Sequence, residues 1–136
     1  MSSDLYREII LDHYKNPRNY GKLERPDLTS RESNPLCGDI VEIQMALDGN
    51  KIGAIRFNGE GCAISRAATS MLVEYIEGKP LEEVKEIDKA VILEMLGVGE
   101  IGPSRIKCAL LGLKVLKMAA YAHLGAKLSE EELREY

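Results

Sequence analysis

The sequence has no tryptophan and a single phenylalanine among its 136 residues. It therefore offers no platform of aromatic rings on which nucleic-acid bases would stack. Positive charge is also in deficit: 18 Lys and Arg stand against 22 Asp and Glu, a formal net charge of −4. Both features argue against a nucleic-acid partner. No apolar run approaches the roughly 20 residues needed to span a bilayer, so no membrane segment is expected. Met1 to Lys15 is charged and amphipathic and lacks the apolar centre of a secretory signal, and a cytoplasmic protein is expected. Internal repeats, low-complexity tracts, phosphate-binding glycine loops and a Ser-His-Asp arrangement are missing as well.

What is present is an ordinary globular composition, 45% hydrophobic and 29% charged, in a chain long enough for one domain with a real core. Residues 1–136 are expected to form that single domain, because the pieces flanking the polar stretch Lys22 to Ser33 are each too small to fold alone. Cysteine is scarce and odd in number, at three. In a secreted domain this would leave one thiol over; in a reducing compartment it points to metal or catalysis. The plainer alternative is three small buried core residues.

Asp4 to Tyr14 reads as a short amphipathic helix stopped by Asn16-Pro17-Arg18-Asn19-Tyr20-Gly21. His13, near its end, is read as a capping or surface residue. Lys22 to Ser33 is a loop or a weak edge strand around Leu28 to Arg31, and Asn34 to Asp39 is a tight turn by composition. Ile40 to Leu47 alternates, with Val41, Ile43, Met45 and Leu47 on one face. Asp48-Gly49-Asn50 signals a hairpin, and Ile52 to Phe57 returns. Cys37 precedes the first strand and Cys62 follows the second, so the hairpin makes these cysteines neighbours.

Asn58 to Ser65 links the second strand to a helix, and two glycines flank Glu60 there, allowing positive φ in the expected turn. Cys62 stands at the mouth of that helix, where the dipole favours thiolate. The helix runs to Glu77, with Ala67 and Ala68 toward the sheet and Arg66, Ser70, Glu74 and Glu77 on the wet face; Gly78 and Pro80 stop it. Leu81 to Ile87 and Asp88 to Leu96 read as two more short helices, and Gly97 to Pro103 as a flexible connection.

A long helix from Pro103 to Leu124 follows, with proline in its first turn and Gly125 beyond its end. Lys107, Lys114, Lys117 and Tyr121 share one stripe; most of the rest is apolar, so the helix is expected to be largely buried. Cys108 lies on the apolar arc, with the cations of Arg105 and Lys107 close by to favour its thiolate. His123 is too far along the helix to share a site with Cys108 and is read as structural or exposed. Ser129 to Tyr136 has the capping-box spacing of a terminal helix.

Cys37-Gly38-Asp39, Gly61-Cys62-Ala63-Ile64-Ser65 and Arg105-Ile106-Lys107-Cys108-Ala109, with His13-Tyr14-Lys15-Asn16-Pro17-Arg18-Asn19 before them, resemble the U-type iron–sulfur cluster assembly scaffolds, the IscU/SufU/NifU N-terminal family. The resemblance extends over nearly the whole chain. It implies an α+β fold: a small antiparallel sheet packed against helices in one compact domain, with Cys37, Asp39, Cys62 and Cys108 converging at one end. It implies a scaffold or carrier rather than a conventional enzyme. Such a scaffold takes sulfur as persulfide from a cysteine desulfurase, takes iron, builds a [2Fe–2S] cluster and hands it to apo iron–sulfur acceptor proteins. In the apo form the same residues hold zinc. Cys108 and Cys37 are the candidate persulfide acceptors, and Lys107 and Arg105 stand behind the ligands.

The sequence departs from the Isc branch of that family at two places. Lys107 stands where that branch has histidine before the third cysteine, and Ile101-Gly102-Pro103-Ser104-Arg105 replaces the Leu-Pro-Pro-Val-Lys segment read by its specialised Hsp70 chaperone. The second departure speaks against dependence on that chaperone. The Arg-x-Lys-Cys form resembles the SufU branch, but the insertion usual there between the second and third cysteines is missing. Chemically, three sulfurs are one thiolate short of the all-cysteine set such clusters usually take. Asp39 would add a harder oxygen, a poorer match, and so leave the cluster releasable. The alternative is a zinc-dependent sulfur acceptor, a SufU-like sulfurtransferase, for a cysteine desulfurase. A purely structural zinc module is disfavoured, since such sites more often use CxxC pairs.

Overall fold

The computed structural model describes residues 3–35, 38–97 and 103–125. The chain opens with α1 (Ser3–Lys15) and continues into β1 (Leu28–Asn34), β2 (Asp39–Asp48) and β3 (Lys51–Glu60). Then come α2 (Ala63–Ile76), a 3₁₀ turn (Leu81–Glu86), α3 (Lys89–Leu96) and α4 (Pro103–Leu124). Among the described residues the sheet has three antiparallel strands in the order β1-β2-β3. The expected α+β architecture, a small antiparallel sheet packed against helices, is what the chain adopts.

β2 alternates as its sequence demands: Val41, Ile43 and Met45 are buried and the residues between them are half-covered. In β3 the buried residues Ile52, Ile55 and Phe57 do not keep strict alternation. The pairing explains this. Ala46 faces Ala54 and Leu47 faces Ile52, so Gly53 is an extra residue that lets Ile52 and Ile55 both reach the core. β1 is polar and half-exposed, a longer edge strand than its apolar content suggests. The far edge is covered too. The chain after α1 runs along β3, with Gly21 N–H donating to the Phe57 carbonyl and Phe57 N–H donating to the Asn19 carbonyl, both at 2.9 Å.

α4 packs on β1 and β2, while α2 packs on β3 and lies between α1 and α4. α2 and α4 meet closely at Gly112, where a side chain would overlap Thr69. The sandwiching of α2 overturns one expectation. Ser70 is fully buried and Arg66 is half-buried, because α1 covers the face read as wet. His13 is likewise buried, neither a cap nor a surface residue: its Nδ1 pairs with Ser70 Oγ at 2.8 Å, and the same oxygen accepts the Arg18 N–H at 2.8 Å. On α4 the lysine stripe is mostly covered. Lys107 and Lys114 are half-buried, and Lys117 is 3% exposed with its ammonium 5.9 Å from the Tyr121 ring centroid.

The short elements end where their caps dictate. Asp88 accepts the Val91 N–H at the start of α3, and Gly97 closes it in the left-handed conformation. The first of the two expected short helices is the 3₁₀ turn. Most of the Gly97–Pro103 connection and the terminal stretch Ser129–Tyr136 lie outside the described residues.

Candidate metal centre

Three element ends meet at one edge of the molecule: the start of β2, the N-terminus of α2 and the second turn of α4. Each carries a donor. Asp39 is the first residue of β2, Cys62 is the N-cap of α2, and Cys108 lies on α4. One oxygen of Asp39 and the sulfurs of Cys62 and Cys108 all lie within 4.8 Å of one another. Residues separated by up to 69 positions in sequence thus share one small volume, as the family resemblance implied for Asp39, Cys62 and Cys108.

Their exposures differ. Asp39 is 1% exposed and Cys108 4%, whereas Cys62 faces solvent. A carboxylate that deeply buried needs partners. Oδ1 accepts the backbone N–H of Cys62 at 2.8 Å, and Oδ2 lies 3.6 Å from its Sγ. The first contact gives one orphan donor at the start of α2 an acceptor from another strand, since Cys62 itself provides no side-chain cap.

The glycines in front of Cys62 act differently from expectation. β3 continues through Glu60, so Asn58-Gly59-Glu60 is strand and not turn. Gly59 is paired with Val41 at φ +137°, and a Cβ there would collide with the Ile40 carbonyl. Gly61 does not have positive φ. It is needed for space: a Cβ would sit 2.9 Å from Asp39 Oδ1 and 3.1 Å from its Cγ. This role leaves no pattern in the local sequence, because the crowding group arrives from the other end of the hairpin.

The donor set fits a thiophilic ion. Tetrahedral zinc bound at about 2.3 Å to sulfur and about 2.1 Å to oxygen places those two atoms about 3.6 Å apart. Cys62 Sγ and Asp39 Oδ2, hydrogen-bonded at 3.6 Å, are already spaced as such a pair would be. The remaining expected ligand, Cys37, lies outside the described residues together with Leu36. Its neighbour Gly38, at φ +71°, donates its N–H to the Asn34 carbonyl at 2.8 Å, which turns the chain just before Asp39. Arg105 is exposed and Lys107 half-buried in the turn of α4 that carries Cys108. His123 is exposed near the far end of α4, as its spacing indicated.

Two solved folds and two curated relatives match this arrangement of elements and sequence. A zinc-dependent sulfurtransferase SufU of Bacillus subtilis (strain 168) is 40% identical, over 83% of this chain and 87% of its own. An iron–sulfur cluster assembly scaffold protein IscU of Haemophilus influenzae is 36% identical, over 90% of this chain and 97% of its own. The crystal structure of a SUF-system protein, FiSufU, from thermophilic Fervidobacterium islandicum AW-1 superposes with a TM-score of 0.73 at 34% identity, covering 88% of this chain and 99% of its own. The N-terminal part of a nitrogen-fixing NifU-like protein from Brucella abortus reaches the same TM-score, 0.73, at 17% identity over 85% of this chain and 92% of its own, a likeness of fold alone. The family of the NifU-like N-terminal domain matches residues 5–130. With the hairpin, the cysteine-capped helix and the cysteine-bearing α4 arranged as that family's sequence motifs imply, the chain belongs to the NifU-like N-terminal domain family, the family of the IscU and SufU proteins.

Proposed function

We propose that the chain, as a single domain over residues 1–136, is a scaffold that assembles a labile [2Fe–2S] cluster and passes it to acceptor proteins. The sulfur comes from a cysteine desulfurase and the iron from solution or a donor. The observation that carries this reading is the convergence of Asp39, Cys62 and Cys108 within 4.8 Å, in a family whose relatives are named as iron–sulfur cluster assembly scaffolds. Cys37 completes the set. It precedes Asp39 by two residues. Three sulfurs and one hard oxygen make a weaker cluster site than four sulfurs, and a cargo that must leave requires a site of that kind. Sulfur arrives when a cysteine thiolate attacks the outer sulfur of the desulfurase persulfide and the desulfurase thiolate leaves. Cys37 and Cys108 are the candidate acceptors; Cys108 is buried, so its attack requires the site to open. Lys107 and Arg105, in the turn of α4 that carries Cys108, are the cations that stand behind the proposed ligands.

A second reading has its own support. Two thiols and a carboxylate gathered within 4.8 Å are donors that zinc takes, and the Bacillus relative is named a zinc-dependent sulfurtransferase. Zinc would be held by Cys37, Asp39, Cys62 and Cys108; it would keep the thiols deprotonated and hold the site together until sulfur is delivered. No described helix is long and apolar enough to cross a membrane, and a cytoplasmic working place accords with cysteines that serve sulfur and metal chemistry.

Anaerobic reconstitution with a cysteine desulfurase, cysteine and ferrous iron separates the readings. A red-brown protein with charge-transfer absorption, which then activates an apo-ferredoxin, supports the scaffold. A colourless protein that retains zinc and gains one persulfide supports the sulfur acceptor and overturns the scaffold.

A further inference from the structure

The first turn of α2 carries two polar groups that the metal centre does not use. The hydroxyl of Ser65, a residue 1% exposed, has no hydrogen-bond partner, and neither has the buried Nε of Arg66. Among the described residues these are the buried side-chain nitrogen and oxygen atoms left in that state. Such groups are nearly always satisfied in folded proteins, by water when by nothing else.

Arg66 is held where it is. Its guanidinium carbon lies 4.7 Å from the Tyr20 ring centroid and 5.7 Å from that of Tyr14. Tyr20 is itself held, edge-on to Phe57 at 5.2 Å and by its hydroxyl donating to the Gly59 carbonyl at 3.3 Å. The guanidinium is thus stacked while its Nε is buried.

Ser65 and Arg66 both line one small cavity, wedged between the ends of β2 and β3 (Ile40, Phe57, Gly59, Gly61) and the first turn of α2. Its space for the centre of a water is about 10 Å³, about that of one molecule. Apolar cavities of this kind stay dry, whereas polar ones with unpaired lining groups are occupied. We propose that this cavity is a binding site for one ordered water, which accepts a hydrogen bond from Arg66 Nε–H and pairs with Ser65 Oγ. The cavity lies between the end of β3 and the first turn of α2, so the water fills the seam beside Gly61. It fixes the Ser65 and Arg66 side chains in the first turn of the helix that Cys62 caps, whatever ion or cluster the centre takes.

The test is a high-resolution crystal structure of the intact protein, joined to the thermal stability and amide exchange of Ser65→Ala. The expected result is a single water peak within hydrogen-bond distance of both side chains. In solution, Ser65→Ala should lower the melting temperature by a few degrees and speed exchange of the Arg66 amide, which donates to the Cys62 carbonyl at 3.1 Å, several-fold, because the water loses an anchor. An empty cavity would overturn the proposal, as would an atom with the anomalous signal of chloride or sulfur. So would a melting temperature that stays the same or rises on Ser65→Ala, which is what deleting an unpaired hydroxyl from a dry cavity produces.

Discussion

Asp39 holds Cys62 at two points: Oδ1 accepts the Cys62 backbone N–H at 2.8 Å, and Oδ2 lies 3.6 Å from Sγ. The carboxylate therefore supports one candidate ligand and stands beside it as another candidate. Removing it acts on the fold and on the cargo in opposite directions.

Asp39→Ala should retain a reconstituted cluster and slow its release, because the hard oxygen is lost. The metal-free variant should also be less stable, by on the order of 2 kcal/mol, since a buried hydrogen bond to a charged group is worth about 1.5–3 kcal/mol. Urea denaturation of the apo protein and cluster transfer to apo-ferredoxin measure the two effects. Faster cluster loss than in the parent would remove Asp39 as the labilising ligand.

Cys62→Ala, Cys108→Ala and Cys37→Ala should each abolish stoichiometric zinc and stable cluster, because the proposed set has no spare sulfur. Metal analysis after gel filtration reads this directly. Full zinc in Cys108→Ala would show that the buried thiol is a core residue and not a ligand.

Gly61→Ala should weaken zinc binding although Gly61 is no ligand. The new Cβ would sit 2.9 Å from Asp39 Oδ1, and the carboxylate must move off Cys62. Overpacking of this kind costs about 1–3 kcal/mol. A competition titration against a chromophoric chelator measures the effect; unchanged zinc affinity in Gly61→Ala would show that the Asp39 carboxylate accommodates the Cβ without leaving Cys62.

His13 gives the apo protein a pH dependence. Burial pushes its pKa below the ordinary 6.5, and the nearby Arg18 charge adds to the shift. The folded state thus binds the proton less readily than the unfolded chain. Its contribution to stability is complete above the unfolded value of about 6.5 and is lost as pH falls through the depressed folded pKa. The slope in that window should not exceed about 1.4 kcal/mol per pH unit for a single proton. Denaturation between pH 7.5 and pH 5, repeated on His13→Gln, checks this; an unchanged slope in the variant would assign the dependence to other groups.

The sequence by itself settled the order and kind of most elements. Period-two burial in Ile40–Leu47, the Asp48-Gly49-Asn50 turn and the Pro103 and Gly125 ends of α4 are local signals, and local geometry obeys them. The hairpin made Cys37 and Cys62 neighbours in the sequence reading, and by the same topology Asp39, two residues beyond Cys37, stands against Cys62. Tertiary structure decided what depends on a surface arriving from elsewhere. α1 lies over α2, so Ser70 and His13 are buried despite polar side chains. The bulge at Gly53 turns Ile52 and Ile55 to the same face, a matter of register between two strands. Gly61 is required by the Asp39 carboxylate, 22 positions earlier in the chain, and Lys117 is enclosed by elements its own helix pattern does not mention. A helix wheel or a strand alternation records which side of an element is apolar; it does not record what packs against the other side.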